Sequence, residues 1–207
     1  MAVDLSETGL QRRVATLQQE LALRETAVLA AKSGAKLVAG ELELLVWGTA
    51  VLITTPDFIA HSQETGAVLD TMTQALLAYY LWTTDGTPPA GEWIAFTELP
   101  NGRFYTQAFQ SYTGRELAEQ FGNDMDWFRE TAVAAGGHAV PFADAAFKFQ
   151  VLPHVPLLVA CWLGDEEFPP SYKILFDAHT SHHLPTDACA IIGRMITGRL
   201  LREGQKQ

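Results

Sequence analysis

Phe147-Lys148-Phe149-Gln150-Val151-Leu152-Pro153-His154-Val155-Pro156-Leu157-Leu158-Val159-Ala160-Cys161-Trp162 is the stretch from which the fold of this chain is read. Phe147, Phe149 and Val151 alternate with Lys148 and Gln150, the two-residue period of a strand with one buried face. The following run from Val155 to Trp162 is apolar on both faces, as in a central strand covered on both sides. Gly164-Asp165 turns the chain, and Tyr172, Ile174 and Phe176 mark a third strand. Strands that succeed one another through short turns pair antiparallel, because a parallel return needs a crossover of roughly a dozen residues. The expectation is therefore an α+β fold: a single domain with a mainly antiparallel sheet packed by helices.

Outward from that core, Pro185-Thr186-Asp187 opens a C-terminal helix whose Ala188, Ile191, Ile192, Met195 and Leu200 face inward. At the other end, Leu10, Val14, Leu17, Leu21 and Val28 recur at helical spacing and predict one long helix over residues 8–32. Thr8 and Gln11 have the spacing of a capping box at its start, and Gly34 stands at its end. Such a helix lies over the core, or presents its stripe to a partner or a second copy. Residues 41–54, broken at Trp47-Gly48, read as a hairpin or two short strands. Val68, Leu69, Met72, Leu76, Tyr79 and Tyr80 predict a second, largely buried helix. Asp85-Gly86-Thr87-Pro88-Pro89-Ala90-Gly91 is a loop, and residues 92–96 a short strand. Thr113 and Glu116 have capping-box spacing for a short helix closed by Gly122, and a further helix runs from Asp124 to Gly136-Gly137. Without repeats or linkers, residues 1–207 form one domain, with residues 1–34 a helical extension on an α+β body of residues 35–207. The Pro-rich loop is the candidate seam.

Hydrophobic residues make up 48% and charged residues 18%, a balance that folds rather than stays disordered. The 24 acidic and 14 basic residues give a net charge of −10, a field that repels phosphate backbones and anionic lipid. Neither nucleic acid nor membrane is expected as a partner. The opening Met1-Ala2-Val3-Asp4-Leu5-Ser6-Glu7 lacks the basic and apolar regions of a signal peptide. No apolar run approaches the ~18–20 residues of a membrane span, and a cytoplasmic location is expected. Cys161 and Cys189 are the two cysteines, too few for a disulfide scaffold or an iron–sulfur cluster held by this chain alone.

Dinucleotide-binding, P-loop, serine-hydrolase, zincin and EF-hand fingerprints are absent. The densest polar chemistry is Asp177-Ala178-His179-Thr180-Ser181-His182-His183, with Asp187 beyond it. Imidazole with carboxylate suits a borderline divalent cation, and makes Asp177, His179 and His182 candidate metal ligands against a reading as exposed loop histidines. Asp165-Glu166-Glu167 packs carboxylates onto a turn, where Asp165 and Glu166 could bind a ligand or simply be a solvated tip. Trp93 and Phe96, beside the Pro-Pro loop, are candidate walls of an apolar pocket, against a reading as core. Cys189 near a helix N-terminus is a conceivable nucleophile, and Cys161 a core thiol.

Several pieces of the chain resemble a family of bacterial and archaeal domains of unknown function (DUF3786). They are Gly91-Glu92-Trp93-Ile94-Ala95-Phe96, Phe121-Gly122, Gly136-Gly137, Val155-Pro156, Trp162-Leu163-Gly164-Asp165-Glu166-Glu167-Phe168-Pro169, Leu175-Phe176-Asp177 and Leu184-Pro185-Thr186-Asp187. Some members of that family are joined to iron–sulfur modules like those of corrinoid proteins, so the resemblance implies work near cobalt, tetrapyrrole or one-carbon chemistry. It assigns no catalytic residue and no cofactor, and this chain lacks the cysteine-rich module. The function expected is an accessory or binding module for a small ligand or partner protein. The alternatives are a metal-dependent enzyme using the His/Asp loop and a structural interaction domain.

Overall fold

The computed structural model describes residues 7–206, so the signal-peptide reading of the first residues lies almost wholly outside the described ones. The α+β architecture with antiparallel sheets is as expected. The domain divides into two compact units, each assembled from separated pieces of chain.

Unit 1 takes the described residues through Pro89 together with Val151–Val155 and His179–Ala188. It contains α1 (Glu7–Leu21), α2 (Thr26–Ser33), β1 (Lys36–Val38), β2 (Glu41–Val46), β3 (Thr49–Ile53), β4 (Ala60–Ser62) and α3 (Thr71–Thr83). Leu10, Val14, Leu17 and Leu21 are buried, and α1 packs on α3, so the stripe is used within the chain. The single long helix is corrected to two. Leu23 N–H bonds Glu20 at 3.3 Å and Arg24 N–H bonds Leu21 at 2.9 Å, a tight three-residue spacing that ends α1. The Arg24 guanidinium donates to the Trp82 carbonyl at 2.8 Å, tying the break to the end of α3. The new phase leaves Val28 44% exposed and turns Leu29 inward. Thr8 lies inside the first turn rather than at the cap, because α1 starts at Glu7.

β1 to β4 form an antiparallel meander in sequence order. Val46 pairs with Thr49, and Trp47 and Gly48 both have positive φ, 53° and 78°, as a two-residue type I′ turn requires. The Trp47 N–H donates to the Val151 carbonyl at 2.9 Å, which holds the turn in place. Helix α3 is buried from Thr73 to Leu81, around its whole circumference. Asp70 caps it, accepting from the Met72 and Thr73 N–H groups at 3.0 Å each. Asp70→Ala is expected to lower the stability by about 1 to 2 kcal/mol in a denaturant melt. No helix among the described residues is long and apolar enough to cross a membrane.

Unit 2 takes Ala90–Gln150, Pro156–Ala178 and Cys189–Gln207. Its elements are β5 (Trp93–Ala95), α4 (Thr106–Ser111), α5 (Gly114–Phe121), α6 (Met125–Ala134), β6 (His138–Ala139), β7 (Ala145–Leu152), β8 (Val155–Trp162), β9 (Ser171–Asp177) and most of α7 (Thr186–Gly204). The sheet order is β5-β9-β8-β7-β6. Leu157, Val159 and Cys161 of β8 pair with Phe176, Ile174 and Tyr172 of β9, placing one apolar face beside the aromatic cluster of Phe96, Phe109, Phe121 and Phe128. The other face carries Ala146, Leu158, Ala160 and Leu175, covered by Trp93, Ala95, Val140, Ala143 and Trp162. The capping box expected at Thr113 does not form. Its hydroxyl donates to the Phe109 carbonyl instead, and α5 begins without a side-chain cap. Asp124 does cap α6, accepting the Trp127 N–H at 3.0 Å.

Candidate histidine site

Helix α3 ends where Thr84 N–H reaches back to the Tyr80 carbonyl at 2.9 Å. The chain then enters the Pro-rich loop, where Asp85 accepts the Thr87 N–H at 2.9 Å and Gly86 adopts a φ of 90°. A second piece of unit 1 is the turn Pro153-His154, seated against Gly34. A Cβ on Gly34 would stand 3.0 Å from Pro153 Cβ, so a side chain there would displace the turn that carries His154. The third piece is the 3₁₀ turn Thr180–His182, followed by His183.

These pieces set imidazoles in a row. The ring centres of His154 and His183 are 5.2 Å apart, those of His183 and His182 6.4 Å, and those of His182 and His179 5.3 Å. Each ring of the last three is held by an oxygen of residues 84–88. His183 Nδ1 lies 2.8 Å from Thr84 Oγ1, His182 Nδ1 2.7 Å from Asp85 Oδ2, and His179 Nδ1 2.9 Å from the Pro88 carbonyl. A carboxylate and a carbonyl only accept, so His182 and His179 donate from Nδ1. The Thr84 hydroxyl lies 3.2 Å from the Lys32 carbonyl and 2.8 Å from His183 Nδ1, and a hydroxyl can donate to either. The neutral form of the His182 and His179 rings therefore carries its proton on Nδ1.

His183 is wholly buried, and its Nε2 has no hydrogen-bond partner among the described residues. Burial first, and the neighbouring His154 second, push its pKa down to about 4, so it is neutral at physiological pH. The hydrogen bond from His182, with those from Thr87, holds the exposed Asp85 carboxyl well below the usual carboxylate range. Thr180 Oγ1, in the same turn, is likewise buried without a partner among the described residues. An unpaired buried polar atom costs about 1 to 3 kcal/mol, a cost that a bound ligand would remove.

Of the residues expected from sequence, His179 and His182 meet in this row. Asp177 belongs to unit 2, where its carboxylate accepts the Ala90 and Gly91 N–H groups at 2.9 and 2.7 Å. Trp93 lies over the Leu158 and Leu175 face of the sheet, whereas Phe96 is buried, stacked on Phe109 at 4.1 Å and tilted against Phe176. The two aromatics thus serve opposite faces instead of one pocket wall. Asp165 accepts the Glu167 and Phe168 N–H groups at 2.8 Å each, which lowers its pKa and closes its own turn, and Glu166 is exposed. Cys189 and Cys161 are buried, and burial pushes the Cys161 thiol up. Among the described residues no group of three or more His, Cys, Asp or Glu side chains is arranged to hold a metal ion. Two shallow clefts of about 310 and 250 Å³ run along α1, lined by Gln18, Ala15 and Ile59 among others. Among the described residues lining them, Asp57 is the one ionisable side chain. Sequence reasoning missed His154, Thr84 and Asp85. The partners of His183 and His182 lie 99 and 97 residues upstream, with no local signal linking them.

Comparison with known proteins gives one family: the model described as Domain of unknown function (DUF3786) matches residues 25–199. No curated protein and no solved structure matches the chain.

Proposed function

We propose that this chain, which belongs to the DUF3786 family, is a binding module that takes a small ligand on the row of His154, His183, His182 and His179. One observation carries the reading: three imidazoles have Nδ1 tied to Thr84, Asp85 and Pro88 of a single loop. A partner on Nδ1 orients a histidine whose other nitrogen serves a ligand. A metal-bearing small molecule, corrinoid or tetrapyrrole, is the class that neutral imidazole donors suit, and handling of such a cofactor is the role that fits them. Trp93, Phe96 and Asp165 support the fold of unit 2 in this reading, and Glu166 is a solvated side chain.

Native mass spectrometry of anaerobically purified protein, beside its denatured mass, tests it. An excess mass that disappears on denaturation is expected, and it should be lost when His182 and His183 are both replaced by asparagine in a chain that still melts cooperatively. An adduct indifferent to those replacements, or a bare mass after incubation with cobalamin and haem, overturns the reading. The enzymatic alternative draws on the 2.7 Å Asp85–His182 pair, which could orient a general base. Under that alternative His182→Ala keeps the bound mass and loses its conversion, whereas a binding module loses the mass.

A further inference from the structure

We propose that His154 and His183 together form a two-imidazole seat for one borderline divalent cation of the zinc, cobalt or nickel class, with its remaining coordination positions left to an incoming ligand. The inference rests on the histidine row being the ligand site, and it names the atom class that the site grips. Three observations support it.

The first is spacing. Two imidazoles on one tetrahedral ion, each nitrogen at ~2.0–2.1 Å, have ring centres about 5 Å apart. His154 and His183 stand at 5.2 Å with their planes 30° apart. The second is the buried lone pair. His183 Nε2 is buried with no hydrogen-bond partner among the described residues, while Nδ1 lies 2.8 Å from Thr84 Oγ1. A neutral ring with Nδ1–H donated and Nε2 unpaired is the form a cation binds. The third is support behind the ligands. Lys32, Thr84 and His183 make a hydrogen-bonded chain from the end of α2, and Tyr80 OH donates to the Ser33 carbonyl at 2.7 Å in the same region.

The pair His179 and His182 has similar spacing, 5.3 Å, but His182 is 44% exposed and neither ring offers a buried unpaired nitrogen. Two protein ligands leave two tetrahedral positions, which is consistent with no group of three ligating side chains among the described residues. Imidazole donors without thiolate favour zinc, cobalt or nickel over cuprous copper, and over magnesium and calcium, which take oxygen.

The test is a titration of chelator-treated full chain with Co²⁺, followed by visible absorption and by metal content after gel filtration. A single equivalent with the intense bands of a four-coordinate ion is expected. His183→Asn keeps an amide toward Thr84 but removes Nε2, and His154→Ala removes the other donor. Each should weaken Co²⁺ binding by about tenfold or more, the range seen when a ligand set is disturbed, while His138→Ala leaves it unchanged. Melting curves confirm that the variants are folded. Co²⁺ bound as in wild type by both variants, or only weak six-coordinate spectra with wild type, overturns the proposal. If a metal-free organic adduct persists in His154→Ala, the cation falls and the binding module stands. If Co²⁺ occupies the pair but no ligand adduct is ever found, the cation stands and the small-ligand reading falls.

Discussion

Phe109→Ala is expected to lower the unfolding free energy by about 3 to 5 kcal/mol, read as a reduced midpoint at unchanged slope in denaturant. Phe109 is fully buried, stacked on Phe96 with ring centres 4.1 Å apart and planes 8° from parallel. It also meets Phe176 at 6.0 Å and the edge of Tyr112 at 5.8 Å. The ring also touches α7 at Gly193, where any Cβ would collide with Phe109. Gly193 itself carries no side chain that could fill the space that alanine leaves. The loss combines the transfer term for the ring with a cavity that relaxes little. Phe109→Leu, which keeps most of the volume, should cost about a third as much. A loss below ~1 kcal/mol for alanine would show that this packing does not hold unit 2 together.

In metal-free protein, His183→Asn is expected to flatten the fall of stability in acid. The folded imidazole takes its proton only near pH 4, and the unfolded one near pH 6.5. Between those values the unfolded chain binds more protons, so stability rises with pH. The contribution is complete above about pH 6.5 and disappears as pH falls through about 4, with a ceiling of about 3 kcal/mol set by the difference in pKa. His154, His182 and Asp85 face the same ring and set the remainder of the slope. Wild type should lose up to about 2 kcal/mol more than His183→Asn between pH 7 and pH 5, measured by melts at matched ionic strength. Parallel curves for the two proteins would mean that His183 is not held neutral by burial.

How far the sequence could be read depends on whether each signal is local. Phe147, Phe149 and Val151 alternate with polar neighbours, and all three strands of the C-terminal third appear where the alternation puts them. The break after Leu21 carries neither glycine nor proline. Arg24 contacts the Trp82 carbonyl there, 58 residues away, and periodicity alone continues straight through the break. Three-residue strands such as β1 and β4 are too short to show a period. Thr113 had the right neighbour for a cap, but its hydroxyl had a nearer acceptor one turn back. The site was half legible for the same reason. His179, His182 and His183 advertise themselves by proximity along the chain, whereas the oxygens that orient them and the imidazole of His154 arrive from distant segments.

The pieces of unit 1 also set an order of events at the ribosome. Its sheet and first three helices are complete in sequence by Thr83, yet His154 and the turn at Thr180–His182 emerge only after most of unit 2 has been made. Thr84, Asp85 and Pro88 must wait in an exposed loop for partners nearly a hundred residues downstream, so the histidine row is among the last features a nascent chain can assemble. A polypeptide stalled or truncated before residue 183 would carry a nearly whole unit 1 without the complete histidine row.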